Sequence, residues 1–333
     1  MRQFFITLLL LISLFTFGQS VPRVIKLHPQ HHFPHSVPKG NYSGIAYIGS
    51  NQYAVVSDKA EKSGYFLFTI DIDSLKGDIQ NVVANGFYPS TDSNQDEEGI
   101  AFIPQRNTFF IAREADNSVK EYDRNGQLTG VELALPSLFK SATAAYGLES
   151  LTYNPHTKLY WTTTESTLPA DGVQATATNN VCNKLRLLAF DSSLASIAEF
   201  LYVMDKPRTR KEGQSFAMGV ADLVALDSGK LLVLERELYV SKSKLGSRVY
   251  NKLYCVTPTF SAETAHNTPL EKHLLTEWST AITLLHQDFA NYEGICLGPK
   301  LCDGSQVLLL CADSQNQYGG VLRDWFRTII ISN

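Results

Sequence analysis

Three glutamates recur at one register of the chain: Glu98 in DEEGIAF, Glu149 in GLESLTY and Glu293 in NYEGICL, each followed by Gly or Ser and a short apolar run. Charged residues also close the next apolar run of each unit: Asp58, Arg113 with Glu114, Glu165, Glu235 with Arg236, and Asp313. Carboxylates that converge raise one another's pKa unless something neutralises them. A hard divalent cation is the simplest neutraliser, and Ca²⁺, which takes roughly six to eight oxygen ligands, suits carboxylates supplied by separate elements. Such an ion lowers the pKa of a bound water, which leaves one carboxylate to act as general base and an arginine to steady the developing charge. The expected metal ligands are therefore Glu98, Glu149, Glu293, Asp222, Asp58 and Asp313, and the expected catalytic groups are Glu98, Glu149, Glu293, Arg113 and Arg236. The same glutamates would equally serve as latches that accept hydrogen bonds from backbone amides of a neighbouring unit. Recurrence at one register is expected under either arrangement.

The elements that must position these groups are hairpins. Residues 43–58, 96–114, 149–165, 221–237 and 293–313 each read as two short apolar strands around a polar turn, with charged residues at the open end. Two further strands follow in each unit, rich in Val, Ile, Leu, Phe and Tyr, and only residues 271–285 offer a helical alternative. Four-stranded up-down units repeating about every 50 residues predict an all-β fold, a β-propeller. The matched positions Gly44, Gly99, Ser150, Asp222 and Gly294 count five blades, with room for a sixth in the insertions or termini. The longer third and fourth intervals hold the extra segments 166–183, 238–250 and 261–287. In a propeller the first strand of each blade lines the channel, so its start and the end of the second strand share one face. Both sets of charged residues then fall at one mouth of the channel. The fourth unit departs from the pattern, with Ala221 where Glu would stand and Asp222 one place further on.

The rest of the chain bounds the function class. Hydrophobic residues at 44% and charged residues at 19% describe a folded single domain over residues 21–333. A net charge of −4, with no basic block beyond residues 206–211, speaks against nucleic acid as a partner. Residues 1–20 carry an early Arg, an apolar run and small residues near its end, which predicts a secretory signal peptide and a soluble, exported product. No apolar run is long enough to span a bilayer. Five cysteines are too few to frame the fold; Cys296 and Cys311 face each other across the last hairpin either as a disulfide or as buried thiols. His28, His31, His32 and His35 fall in a strap before the first blade, where Val24 to Leu27 form a strand able to pair with the end of the chain, residues 327–331. Asn41-Tyr42-Ser43 is a formal glycosylation sequon.

Catalytic motifs of other classes are missing. GLESL at 147–151 and GQSFA at 213–217 both fail the GxSxG nucleophile elbow, and neither a P-loop nor HExxH occurs. The motifs EGIAFIP (98–104), GLESLTYNP (147–155), ADLVALDSGKLLVLERE (221–237) and NYEGICLGP (291–299) together resemble the exported "esterase-like activity of phytase" family, over roughly residues 43–331. The resemblance implies a propeller hydrolase of phosphate or carboxylate esters, with Glu98, Glu149 and Glu293 as the matching acidic positions and a small ester or phosphate as substrate. A calcium-dependent lactonase shares this architecture, and a non-catalytic ligand-binding or scaffold propeller is the reading from another class.

Overall fold

The structure, a computed structural model, describes residues 20–142, 146–260, 268–285, 287–317 and 320–332; the predicted signal peptide lies almost wholly outside them. Five four-stranded antiparallel blades form a β-propeller with almost no helix. Blade 1 comprises Tyr42–Gly49, Gln52–Ser57, Lys62–Ile72 and Ile79–Ser93, and blade 2 Glu97–Ile103, Thr108–Arg113, Ser118–Tyr122 and Leu128–Glu132. Blade 3 comprises Leu148–Asn154, Leu159–Thr164, Lys184–Phe190 and Ser196–Val203. Blade 4 comprises Ser215–Ala225, Leu231–Val240, Arg248–Val256 and Lys272–Ala281. Blade 5 takes Asn291–Lys300, Gln306–Asp313 and Trp325–Ile331 from the end of the chain and its outer strand, Val24–Leu27, from the beginning. Val24 pairs with Ile331 and Leu27 with Ile329, so the ring closes by joining the two ends, as the apolar pattern predicted.

Segment 271–285 is the one misjudged element. Lys272–Ala281 is the outer strand of blade 4, paired along its length with Arg248–Val256. An edge strand half-exposed to solvent has polar residues on both faces, so its alternation is blurred and passes for a helical period. The histidines tie the strap down one at a time: His28 contacts the Lys76 carbonyl at 2.8 Å, His31 lies 2.9 Å from Asp78, and the His32 ring packs 5.6 Å from that of Trp325. Cys296 and Cys311 are buried free thiols. The Asn41 side chain of the sequon is buried and accepts a hydrogen bond from the Asn316 amide at 2.5 Å. The basic run at 206–211 lies along blade 4, where the Arg208 amide donates to Glu237 at 2.7 Å and Lys211 stands over the Tyr239 ring.

Apolar faces of adjacent blades stack to make the core; between blades 3 and 4, for example, Trp161, Leu187 and Tyr202 pack with Leu223 and Val233. Each such side chain removed from water contributes about 1.5–3 kcal/mol. At the axis the first strands approach so closely that a Cβ on Gly44 would stand 2.3 Å from the Glu98 carbonyl oxygen, and one on Gly99 would stand 2.5 Å from the Leu151 nitrogen. Gly44 and Gly99 are there because the neighbouring backbone leaves no room for a side chain. One mouth of the channel is apolar, lined by Ile45, Ile100, Leu151, Val224 and Ile295. The cluster of carboxylates is at the other.

Candidate active site at the acidic mouth

A β-bulge in every first strand sets the side chains of the mouth. Pairing runs from Glu97↔Arg113 to Gly99↔Ala112, from Leu148↔Thr164 to Ser150↔Thr163, from Val220↔Glu235 to Asp222↔Leu234, and from Tyr292↔Ala312 to Gly294↔Cys311. The extra residue is Glu98, Glu149, Ala221 and Glu293 in turn, and in blade 1 the same slip falls at Ser43 and Gly44. A bulge inserts one unpaired residue and re-aims its side chain, and here it turns three glutamates towards the axis. The residue that follows the second-strand partner of the pair just before each bulge completes the set: Asp58, Glu114, Glu165, Arg236 and Asp313, one from each blade.

Most of these groups surround a cavity of about 400 Å³, whose lining includes Asp58, Glu98, Glu114, Glu149, Glu165, Glu293 and Arg236. Arg236 is the central cation. Its guanidinium donates to Glu293 Oε1 at 2.7 Å, to Asn291 Oδ1 at 2.9 Å and to Glu165, and Asn291 Nδ2 donates to Glu293 Oε1 at 2.7 Å. Lys59 lies at the opposite side, 2.9 Å from Asp58 and 2.6 Å from Asp96. Glu114 accepts from the Gly147 amide at 2.8 Å, and Asp313 accepts from Gln315. Burial, then the nearby carboxylates, pushes Glu98 and Glu149 well above the usual carboxylate range, with no hydrogen-bond donor among the described residues relieving either. Burial and Asp313 do the same to Glu293 against the pull of Arg236, while Glu114 and Asp313 are pushed up to about 7, burial leading in both.

The latch arrangement therefore holds for Asp222, and through the single Gly147 amide for Glu114, but not for the three glutamates. Asp222 accepts from the amides of Leu223 at 2.8 Å and Ile295 at 2.9 Å, with the Leu151 amide as a third donor, so it ties blade 4 to blades 3 and 5 and does not line the cavity. Asp222→Ala is expected to cost about 3 kcal/mol or more in chemical denaturation, because each buried donor left without a partner costs about 1–3 kcal/mol. An unchanged midpoint would remove the latch. Arg113 also lies away from the mouth. It stands one residue before Glu114, so the alternation of a strand sends it to the other face, where it meets Asp116 at 3.0 Å and Tyr122 beside buried Glu97. Glu235 occupies the same register in blade 4 and likewise turns to its neighbour, accepting from Tyr202 and Lys272, each at 2.7 Å.

Sequence reasoning left out Tyr146, Lys59, Asp96 and Asn291. The first two line the cavity, Asp96 pairs with Lys59 beside it, and Asn291 braces Arg236. None repeats from blade to blade, so the periodicity that exposes the glutamates carries no signal for them. The donors fit a hard cation: Asp58, Asp96 and Glu98 each offer an oxygen, all within 4.8 Å of one another, and Asp58 Oδ1 is buried without a partner. Lys59 bridges two of the three, so its ammonium and a cation would compete for the same oxygens.

Fold and site together define a five-bladed propeller with a buried acidic mouth. The "Phytase-like: esterase-like activity of phytase" family model matches residues 37–315, and the chain belongs to that family. No curated protein sequence shows significant similarity to it. Among solved structures it is similar to an endo-arabinase from Bacteroides thetaiotaomicron VPI-5482 (9% identity, TM-score 0.48, covering 90% of this chain and 95% of that one). It is also similar to RS223-Beta-xylosidase (9%, 0.45, 91% and 94%) and to a duf4221 family member from Bacteroides vulgatus ATCC 8482 (10%, 0.42, 93% and 99%). At such identities and scores these likenesses carry no argument about chemistry. Among the described residues no helix is long and apolar enough to cross a membrane.

Proposed function

We propose that the protein is an exported, metal-assisted hydrolase of phosphate or carboxylate esters that works at the acidic mouth. One observation carries the reading: Glu98 and Glu149 are aimed by bulges into a cavity, buried, and given no donor to neutralise them, beside an arginine already held by Glu165 and Glu293. A structural role would be served by a partner such as Asp222 has. Glu98, Asp58 and Asp96 would hold a divalent cation, with Glu149, Glu293 and Asp313 close by. When bound, such an ion polarises the ester oxygen and acidifies a water. A glutamate kept basic among other carboxylates takes the proton of the attacking water, and Glu149, outside the Asp58–Asp96–Glu98 group, is the assigned base. Arg236 cannot lose its charge, and its fixed fork steadies the oxyanion.

The test is acid and phosphate release from phytate, an aryl phosphate, an aryl acetate and a lactone by the purified mature chain, with calcium and with chelator. Chelation is expected to lower turnover by about 100-fold, the scale of the several kcal/mol a Lewis-acidic ion contributes. Turnover indifferent to chelation would remove the metal, and folded protein inert on all four would leave a binding propeller.

A further inference from the structure

The cavity is lopsided, and the lopsidedness describes the substrate. Carboxylates come from blades 1, 2, 3 and 5, whereas blade 4 contributes Ala221 to the bulge positions and rises past the mouth. Its first two strands, Ser215–Ala225 and Leu231–Val240, are 11 and 10 residues long, against 7 and 6 in blades 2 and 3. The excess lies on the mouth side of the bulge, where Ser215 pairs with Val240 and Phe216 with Tyr239. Along this ribbon and the connections around blade 5, the cavity is lined by Phe216, Leu238, Val240, Ile282, Phe289 and Leu322. The wall is preformed: Ile282, Phe289 and Leu322 are buried with Val249 in a cluster of their own, and Leu238 and Val240 pack on it. The charged side of the lining has six carboxylates against three cations, Lys59, Arg236 and Lys244.

We infer that the substrate is a neutral carboxylic ester, open-chain or cyclic, with an apolar arm that lies on the blade 4 wall while its ester group faces the glutamates and Arg236. This rests on the hydrolase reading above and chooses within it. A polyphosphate would bring many negative charges to a mouth that already carries an excess of them, and would leave the apolar wall uncovered. A neutral ester meets no such repulsion, and its arm removes the wall from water. In the reaction, water oxygen bonds to the carbonyl carbon, the acyl–oxygen bond breaks, and the water proton ends on the departing alkoxide, which gives acid and alcohol.

The experiment measures kcat/KM on p-nitrophenyl acetate, butyrate and hexanoate, with phytate and p-nitrophenyl phosphate alongside, for the wild-type chain and for Leu238→Ser. kcat/KM is expected to rise about fourfold per methylene, a ratio of about 16 between successive esters of this series, until the wall is covered. Leu238→Ser is expected to flatten that ratio, which two substrates on one preparation report regardless of folding yield. Phosphate substrates turned over better than the esters, or a flat acyl series in the wild type, would overturn the inference while leaving the hydrolase reading in place. Binding of hexanoyl against acetyl p-nitroanilide, measured calorimetrically, separates the two failures. A hexanoyl preference lost in Leu238→Ser supports the wall even without turnover, and equal or absent binding of the two sinks it.

Discussion

Glu98→Gln is expected to lower kcat/KM on any ester the protein turns over by about 10²–10⁴-fold, the usual contribution of a positioned ligand or proton-transfer group, and at the same time to stabilise the metal-free protein. The two effects have one cause. Burial and the charges of Glu293, Asp58, Glu114 and Asp96 all disfavour an ionised Glu98. Gln keeps the shape and removes the charge, so the fold loses a repulsion while the site loses its chemistry. Relief of this kind commonly yields about 0.5–2 kcal/mol, a rise of a few degrees in Tm. A latch behaves in the opposite sense: removing it destabilises the fold and touches activity only through folding. Tm and kcat/KM measured on the same preparations decide between them, and lower stability with turnover retained would return Glu98 to a structural role.

The hairpins were legible because their signal is local: short apolar runs flank a polar turn, and the spacing repeats. Closure by Val24–Leu27 was legible for the same reason, an apolar strand at each end of the chain. What the sequence hides is pairing offset. Arg113 and Glu114 are adjacent letters, and only the register between strands decides which of them faces the channel. The bulge adds one residue on one side of the ladder, so Glu98 reaches the mouth while Glu97, next to it, is buried between blades 1 and 2. Asp222 follows from that offset, since it takes the position of Gly99 and Gly294, where the neighbouring blade presents amides. The apolar wall was hidden for another reason: its residues come partly from the extended strands of blade 4 and partly from the connections around blade 5, and no period links Phe216 to Phe289.

Without divalent ions the protein is expected to lose stability as pH rises from about 5 to 8, and calcium is expected to reverse the slope. Glu98, Glu149 and Glu293 are held well above the ordinary carboxylate range, and Glu114 and Asp313 at about 7. Their unfolded values lie near 4.5 for Glu and 3.8 for Asp. Above those unfolded values the folded state binds more protons than the unfolded one, so stability falls with rising pH; the cost of Glu114 and Asp313 is complete above about 7, while that of the three glutamates goes on growing. Because the groups repel one another the costs do not add, and the total is of the order of a few kcal/mol. Asp205 has the opposite sign. Its hydrogen bonds to Lys252, Tyr254 and Lys272 outweigh burial and hold it below the usual range, so its contribution is lost in acid, beneath the window considered. A cation binds the ionised carboxylates, so calcium should stabilise the fold, and raise Tm, at pH 8 and scarcely at pH 5; the stabilisation is about 2.7 kcal/mol when its concentration is 100-fold above Kd. Tm across that range with chelator and with calcium tests both halves. Chelated protein that grows more stable towards pH 8 would mean that the mouth is already neutralised by Arg236 and Lys59, and a calcium effect independent of pH would place the ion somewhere other than these carboxylates.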